Sequence, residues 1–157
     1  MNLYTEPQQI ALALVPKLTA LISLVSMSYA AQLILRSKRR MQRMYHRIFL
    51  GFAGHNMITS ITFITGTWAI PSEVEGHFMN VGTERSCMVQ AFFSELGLGS
   101  FMYLSALCVC ACLAVRHNFQ EIRYRRFEKF AHIACTLAPL AASISLMLSH
   151  NYGPDGK

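Results

Sequence analysis

The chain has 157 residues, a formal net charge of +6 and a sequence pI near 9.3, with 53% hydrophobic and 14% charged residues. Soluble domains carry about 25% charged residues, so this composition excludes an ordinary water-soluble globule and points to a chain whose solvent is lipid. Eleven of the fourteen Lys and Arg gather in two clusters, Arg36, Lys38, Arg39, Arg40, Arg43, Arg47 and Arg116, Arg123, Arg125, Arg126, Lys129. Set between apolar runs, such charge is a topology signal rather than a nucleic-acid footprint, and no nucleic-acid partner is expected.

The first apolar run, 10–35, is twenty-six residues long and is interrupted by Pro16, Lys17 and a few small polar groups. It is too long for a cleaved leader, and residues 1–9 hold no basic residue to start one. The second run, 48–70, has twenty-three residues, the third, 87–115, twenty-nine, and the fourth, 130–148, nineteen. About 20 apolar residues suffice for a helix to cross a hydrocarbon core roughly 30 Å thick. The expected fold is an all-α membrane protein, one membrane domain over 1–157 with four transmembrane helices, because a lipid-exposed segment must pair its own backbone groups.

Short loops rich in Lys and Arg stay in the cytoplasm. With both clusters there, the N-terminus, the 71–86 loop and the tail from Ser149 are expected on the non-cytoplasmic side. Glu6, Glu73, Glu75, Glu84 and Asp155 agree with this orientation. Glu121 and Glu128 do not, but acidic residues weigh little in orientation. The sequence holds no Asn-x-Ser/Thr sequon to check it.

Small residues at helical spacing, Ser26 with Ala30, Gly51 with Gly54, Gly97 with Ser100 and Ala138 with Ala142, read as close-packing positions between helices. Ionisable groups inside a span are costly and are functional candidates. Glu95 lies about 12 Å and Lys17 about 10 Å along their runs from the outer ends, at 1.5 Å per residue. Two opposite charges at one depth can pair, or line a ligand cavity open to the outside; the alternative is that Lys17 snorkels outward along its stem while Glu95 is protonated or interfacial. His55 and Asn56, mid-span in the second run, read as hydrogen-bonding groups to a neighbouring helix.

Six histidines without HxxxH or HxxH spacing argue against a histidine-box oxygenase or hydroxylase. Cys108, Cys110, Cys112 and Cys135 read as small apolar core residues, since neither C-x-x-C nor a fourth zinc ligand accompanies them. Cys87 opens the third run on the outer side, where no other cysteine lies, which leaves a free thiol, an intermolecular bond or a partner further along a longer chain. No catalytic constellation is present, so neither an enzyme, a cofactor nor a metal is expected.

The string Cys87-Met-Val-Gln-Ala-Phe-Phe-Ser-Glu-Leu-Gly, continuing to Leu113-Ala-Val-Arg116-His-Asn118, resembles the third helix of seven-transmembrane G-protein-coupled-receptor-like proteins of protist and algal type. The preceding Tyr45-His-Arg-Ile-Phe-Leu-Gly51, running through Gly66-Thr-Trp-Ala-Ile-Pro71, resembles that family's second helix and first outer loop. The resemblance spans the chain as helices one to four. It implies that Cys87 is the helix-three half of an outer disulfide whose other half would follow helix four, beyond Lys157. It also implies Arg116 as a cytoplasmic-face residue, and a truncated or partial receptor acting in transmembrane signalling. The Asp-Arg-Tyr signature is absent, Asn56 stands where helix two would carry an acid, and helix four has no tryptophan. Sodium-linked and arginine-switch mechanisms therefore do not carry over.

The implied partners are the bilayer, anionic inner-leaflet lipids, a G protein or a full-length relative, and a homodimer through Cys87. Four helices alone would lack the seven-helix ligand cavity, so the chain by itself is expected not to signal. The other class is a stand-alone four-span structural or adaptor protein. Tetraspanin and claudin signatures are absent from it.

Overall fold

The computed structural model describes residues 5–73 and 80–149. Glu75, His77, His150, Asp155 and the tail beyond Ser149 lie outside the described residues. Four helical segments are long and apolar enough to cross a membrane: Pro7–Leu35, Met44–Ala69, Glu84–Arg116 and Glu121–Leu148. They match the four runs expected from the sequence and begin three to nine residues before them.

Helix α1, Glu6–Leu35, starts at Thr5, which exchanges a capping box with Gln8. Pro16 sits inside it, where a proline removes one backbone bond. The Thr19 hydroxyl donates to the carbonyls of Val15 and Pro16 just upstream. A one-turn helix α2, Lys38–Met41, carries the first basic connection. Helix α3, Met44–Thr65, ends at Gly66, whose φ of +45° is the left-handed geometry that favours glycine. A 3₁₀ turn, Gly66–Ala69, follows.

The third span is two helices in series. Helix α4, Glu84–Leu96, begins with a Thr83–Ser86 capping box and gives way at Gly97 to α5, Leu98–Arg116. Asn118 and Phe119, both at positive φ, turn the chain. A 3₁₀ turn over Glu121–Tyr124 then feeds α6, Arg125–Leu148. No strand occurs among the described residues; Pro71 and Gly82 form an isolated bridge at the end of the bundle opposite the basic connections.

Helix α3 is the hub, packed on α1, α4, α5 and α6, while α6 also packs along α4 and α5. The buried core lies toward the basic end of spans two to four: Met44, Ile48, Tyr103, Leu107, Tyr124 and Cys135 are among its members. Large apolar side chains elsewhere point outward, including Leu21, Ile22 and Val25 on α1, Phe101 on α5, and Phe130 and Ile133 on α6. In water that pattern would be an aggregation surface. In a bilayer it is the face that meets lipid, because lipid tails are as apolar as leucine.

Of the small-residue pairs, Gly51 and Gly97 are the positions where helices touch. A Cβ on Gly51 would strike the Tyr103 ring, and one on Gly97 would strike the Thr59 hydroxyl. Gly99 joins them, since its Cβ would meet the His55 ring at 2.5 Å. Ser26, Ala138 and Ala142 are exposed instead and take no part in this packing.

Candidate functional site

The close approach of α3 to α5 at Gly51 and Gly99 brings polar side chains together in the middle of the bundle. Tyr103 is buried, and its hydroxyl lies 2.9 Å from His132 Nδ1 and 3.1 Å from Thr136 Oγ1, both on α6. Its ring packs between His55, at a centroid separation of 5.3 Å, and His132, at 5.5 Å. His55 Nδ1 lies 3.1 Å from the Leu96 carbonyl, so that nitrogen carries the proton and donates. The Leu96 carbonyl is at the end of α4, where the helix leaves acceptors unpaired. Asn56, next along α3, faces α1 and accepts from Ser23 Oγ at 3.0 Å. His55 and Asn56 thus bond to neighbouring helices, as their mid-span position predicts. A cavity of about 470 Å³ opens beside Asn56, lined by Pro16, Thr19 and Ser23 of α1 with Thr59 and Ser60 of α3.

A second cluster lies at the basic end. Arg47 forks onto Glu128, Nε donating to one carboxylate oxygen and Nη2 to the other, the latter at 2.7 Å. Its Nη1 donates to the carbonyls of Met41 and Gln42 at 2.8 and 2.7 Å, closing the end of the first basic connection. The Met44 N–H donates to Glu121 Oε2 at 3.3 Å. Both acidic residues that run against the orientation rule are therefore used by the opposite connection. A cavity of about 220 Å³ lies between Gln42, Met44, Arg47, Glu121, Ile122 and Arg125. Sequence reasoning passed over this ion pair. The signal was present, because Arg47 and Glu128 lie one and two residues outside their apolar runs, at one depth and with opposite sign.

Of the readings open for Lys17 and Glu95, direct pairing is not what the structure shows, because the two do not come within ion-pair distance. Lys17 reaches across to span two, where its Nζ lies 3.9 Å over the Trp68 ring and its Cε rests near Gly66. Trp68 is placed there by the turn that Gly66 starts. Glu95 is partly buried near the end of α4 and forms no ion pair among the described residues. Cys87 is a partly buried free thiol in the first turn of α4. Arg116 is exposed in the last turn of α5, and the next residue, His117, stacks on Tyr124 at 6.0 Å. Of the cysteines read as core, Cys110 and Cys135 are buried, whereas Cys108 and Cys112 face outward. That split follows from their two-residue spacing on a helix, which turns neighbours in the string about 200° apart.

A third cavity, about 590 Å³, is a slot between the C-terminal part of α3 and α4, lined by Ile58, Ile61, Val89, Phe93 and the exposed Arg85. No group of three or more His, Cys, Asp or Glu suited to a metal occurs among the described residues. Comparison of the chain with protein-family models, with curated proteins and with solved structures gives no match.

Proposed function

We propose that this multi-pass membrane protein is a receptor-like component of transmembrane signalling, with its two basic connections on the cytoplasmic side and the connection after Trp68 on the outer side. The observation that carries the reading is the Arg47–Glu128 pair. It joins α3 to α6 at the basic end, and the same two helices supply His55, His132 and Thr136 to the Tyr103 cluster deeper in the membrane. His55 is eight residues from Arg47, about 12 Å, and His132 four residues from Glu128, about 6 Å. Two rigid helices therefore link the polar middle to the ion pair. A shift of one against the other would open a bidentate contact that has two discrete states, made or broken. Opening it would uncover the Glu128 carboxylate on a face dominated by cations, which changes what a partner meets there.

A heterotrimeric G protein or a full-length receptor relative fits that face as partner. Anionic lipid also fits it, at about 1 kcal/mol per basic residue near the surface, so the charge clusters alone do not carry the assignment. The test is nucleotide exchange on a heterotrimeric G protein. The 157-residue chain alone in vesicles is expected to leave exchange unchanged. Co-expressed with a seven-helix relative it is expected to shift exchange, and Glu128→Gln is expected to alter the size of that shift at equal membrane abundance. An absence of any shift with the relative present would overturn the reading in favour of a four-span structural or adaptor protein.

A further inference from the structure

The slot between α3 and α4 has an unusual division of labour between wall and rim. Its wall contains polar residues, yet their donors are used within the protein. The Gln90 amide donates to the carbonyls of Thr62 and Gly66 at 2.9 and 3.0 Å, which closes the C-terminal end of α3. The hydroxyls of Thr62 and Thr65 donate to the carbonyls of Thr59 and Thr62. Ser86 Oγ donates to the Ala69 carbonyl at 2.9 Å. What the slot presents to an occupant is therefore the hydrocarbon of Ile58, Ile61, Val89 and Phe93.

The rim is the reverse. Arg85 is exposed, lines the slot, and has neither a hydrogen bond nor an ion pair among the described residues. It is one of three cations outside the two clusters, and it lies at the end of the bundle opposite them. Arg85 stands eight residues before Phe93 on one helix, so the cation is about 12 Å from the deepest apolar wall. An arginine at a membrane boundary whose stem is anchored in a span holds its guanidinium at headgroup level.

We infer that this slot binds a single-chain anionic amphiphile, a long-chain fatty acid, with the chain between α3 and α4 and the carboxylate on Arg85. Charge decides that the head is anionic, since a guanidinium forks onto an anionic group, and a carboxylate is the smallest such head on a single chain. Size decides the tail: about 590 Å³ lies within the range of sites for a single small ligand and leaves no room for a two-chain phospholipid. This assignment does not rest on the receptor reading, and a silent protein with the same slot would bind the same ligand.

The full chain, held in phosphatidylcholine nanodiscs, would be photolabelled with a long-chain fatty acid carrying a diazirine near its methyl end, and the adducts mapped by peptide mass spectrometry. Label is expected on the segments holding Ile58, Ile61, Val89 and Phe93, and oleate should displace it while oleyl alcohol and phosphatidylglycerol do not. Arg85→Gln, a change at an exposed position, is expected to reduce labelling about tenfold at fixed probe, the cost of one charge-assisted contact. Val89→Trp, which fills the slot, should abolish it with Arg85 intact. Label spread evenly over α1 and α6, equal displacement by oleyl alcohol, or undiminished labelling of Arg85→Gln would each overturn the proposal. Displacement by phosphatidylglycerol as effective as by oleate would overturn it too, in favour of an ordinary boundary lipid.

Discussion

Removing the carboxylate of Glu128 should destabilise the bundle through its partner, and the size of the effect follows from the geometry. The pair is bidentate and neither fully buried nor exposed, with side-chain exposures of 28% for Arg47 and 13% for Glu128. A surface pair of this kind is worth about 0.2–1 kcal/mol, and breaking a buried one costs about 3–5 kcal/mol. Arg47 also keeps its donations to Met41 and Gln42 when Glu128 is lost, so the guanidinium is not stranded. An intermediate cost of about 2 kcal/mol is expected for Glu128→Gln, of which about 1 kcal/mol is coupling to Arg47, in line with interhelical cycles in membrane proteins. Unfolding of the reconstituted protein by sodium dodecyl sulfate, run on wild type, Arg47→Gln, Glu128→Gln and the double variant, measures both. The double variant should cost about 1 kcal/mol less than the sum of the singles. Strict additivity would refute the argument, because it would mean the two side chains do not act on each other.

Two glycines one turn apart on α3 should respond oppositely to alanine. Gly51→Ala forces a methyl into the Tyr103 ring and is expected to cost about 1–3 kcal/mol in the same unfolding assay, whereas Gly54→Ala meets nothing within 4 Å and should gain about 0.5–1 kcal/mol. Tyr103→Phe keeps the ring between its two histidines and removes only the hydroxyl, so a loss of about 1 kcal/mol is expected. Thr136→Val should then cost less in combination with Tyr103→Phe than in wild type. Lys17→Met should cost about 0.5–1 kcal/mol in wild type and nothing further in Trp68→Leu, since the ring is what holds the ammonium.

The element count and span order were legible because lipid imposes a length that apolar runs either meet or miss. Helix ends were less so. Thr5, Thr83 and the turn at Gly66 extend or stop helices by capping geometry that hydropathy does not register. The joint at Gly97, which divides the third span into α4 and α5, hid inside a single apolar run for the same reason. The candidate site was half visible. Single residues such as Lys17, Glu95 and His55 stood out as expensive in lipid, but their partners depend on which helix faces which. Lys17 could be seen to need company at its depth; that a tryptophan ring rather than a carboxylate supplies it is a fact of the turn after α3. Glu128 was passed over because its sign was weighed only as evidence for sidedness. Arg85 attracted no notice, since its meaning comes from the slot beneath it.

Arg47 and Glu128 latch the basic ends of α3 and α6 together. Electron–electron distance measurement between spin labels at positions 40 and 126 is the test of that latch, in a chain cleared of its five native cysteines; both positions are exposed, one in α2 and one in the first turn of α6. The wild-type arrangement predicts one narrow distance distribution that broadens in Glu128→Gln, while labels at 84 and 148, at the opposite end, keep theirs. An unchanged distribution at 40 and 126 after the substitution would contradict the latch, and equal broadening at both ends would show general loosening of the bundle instead.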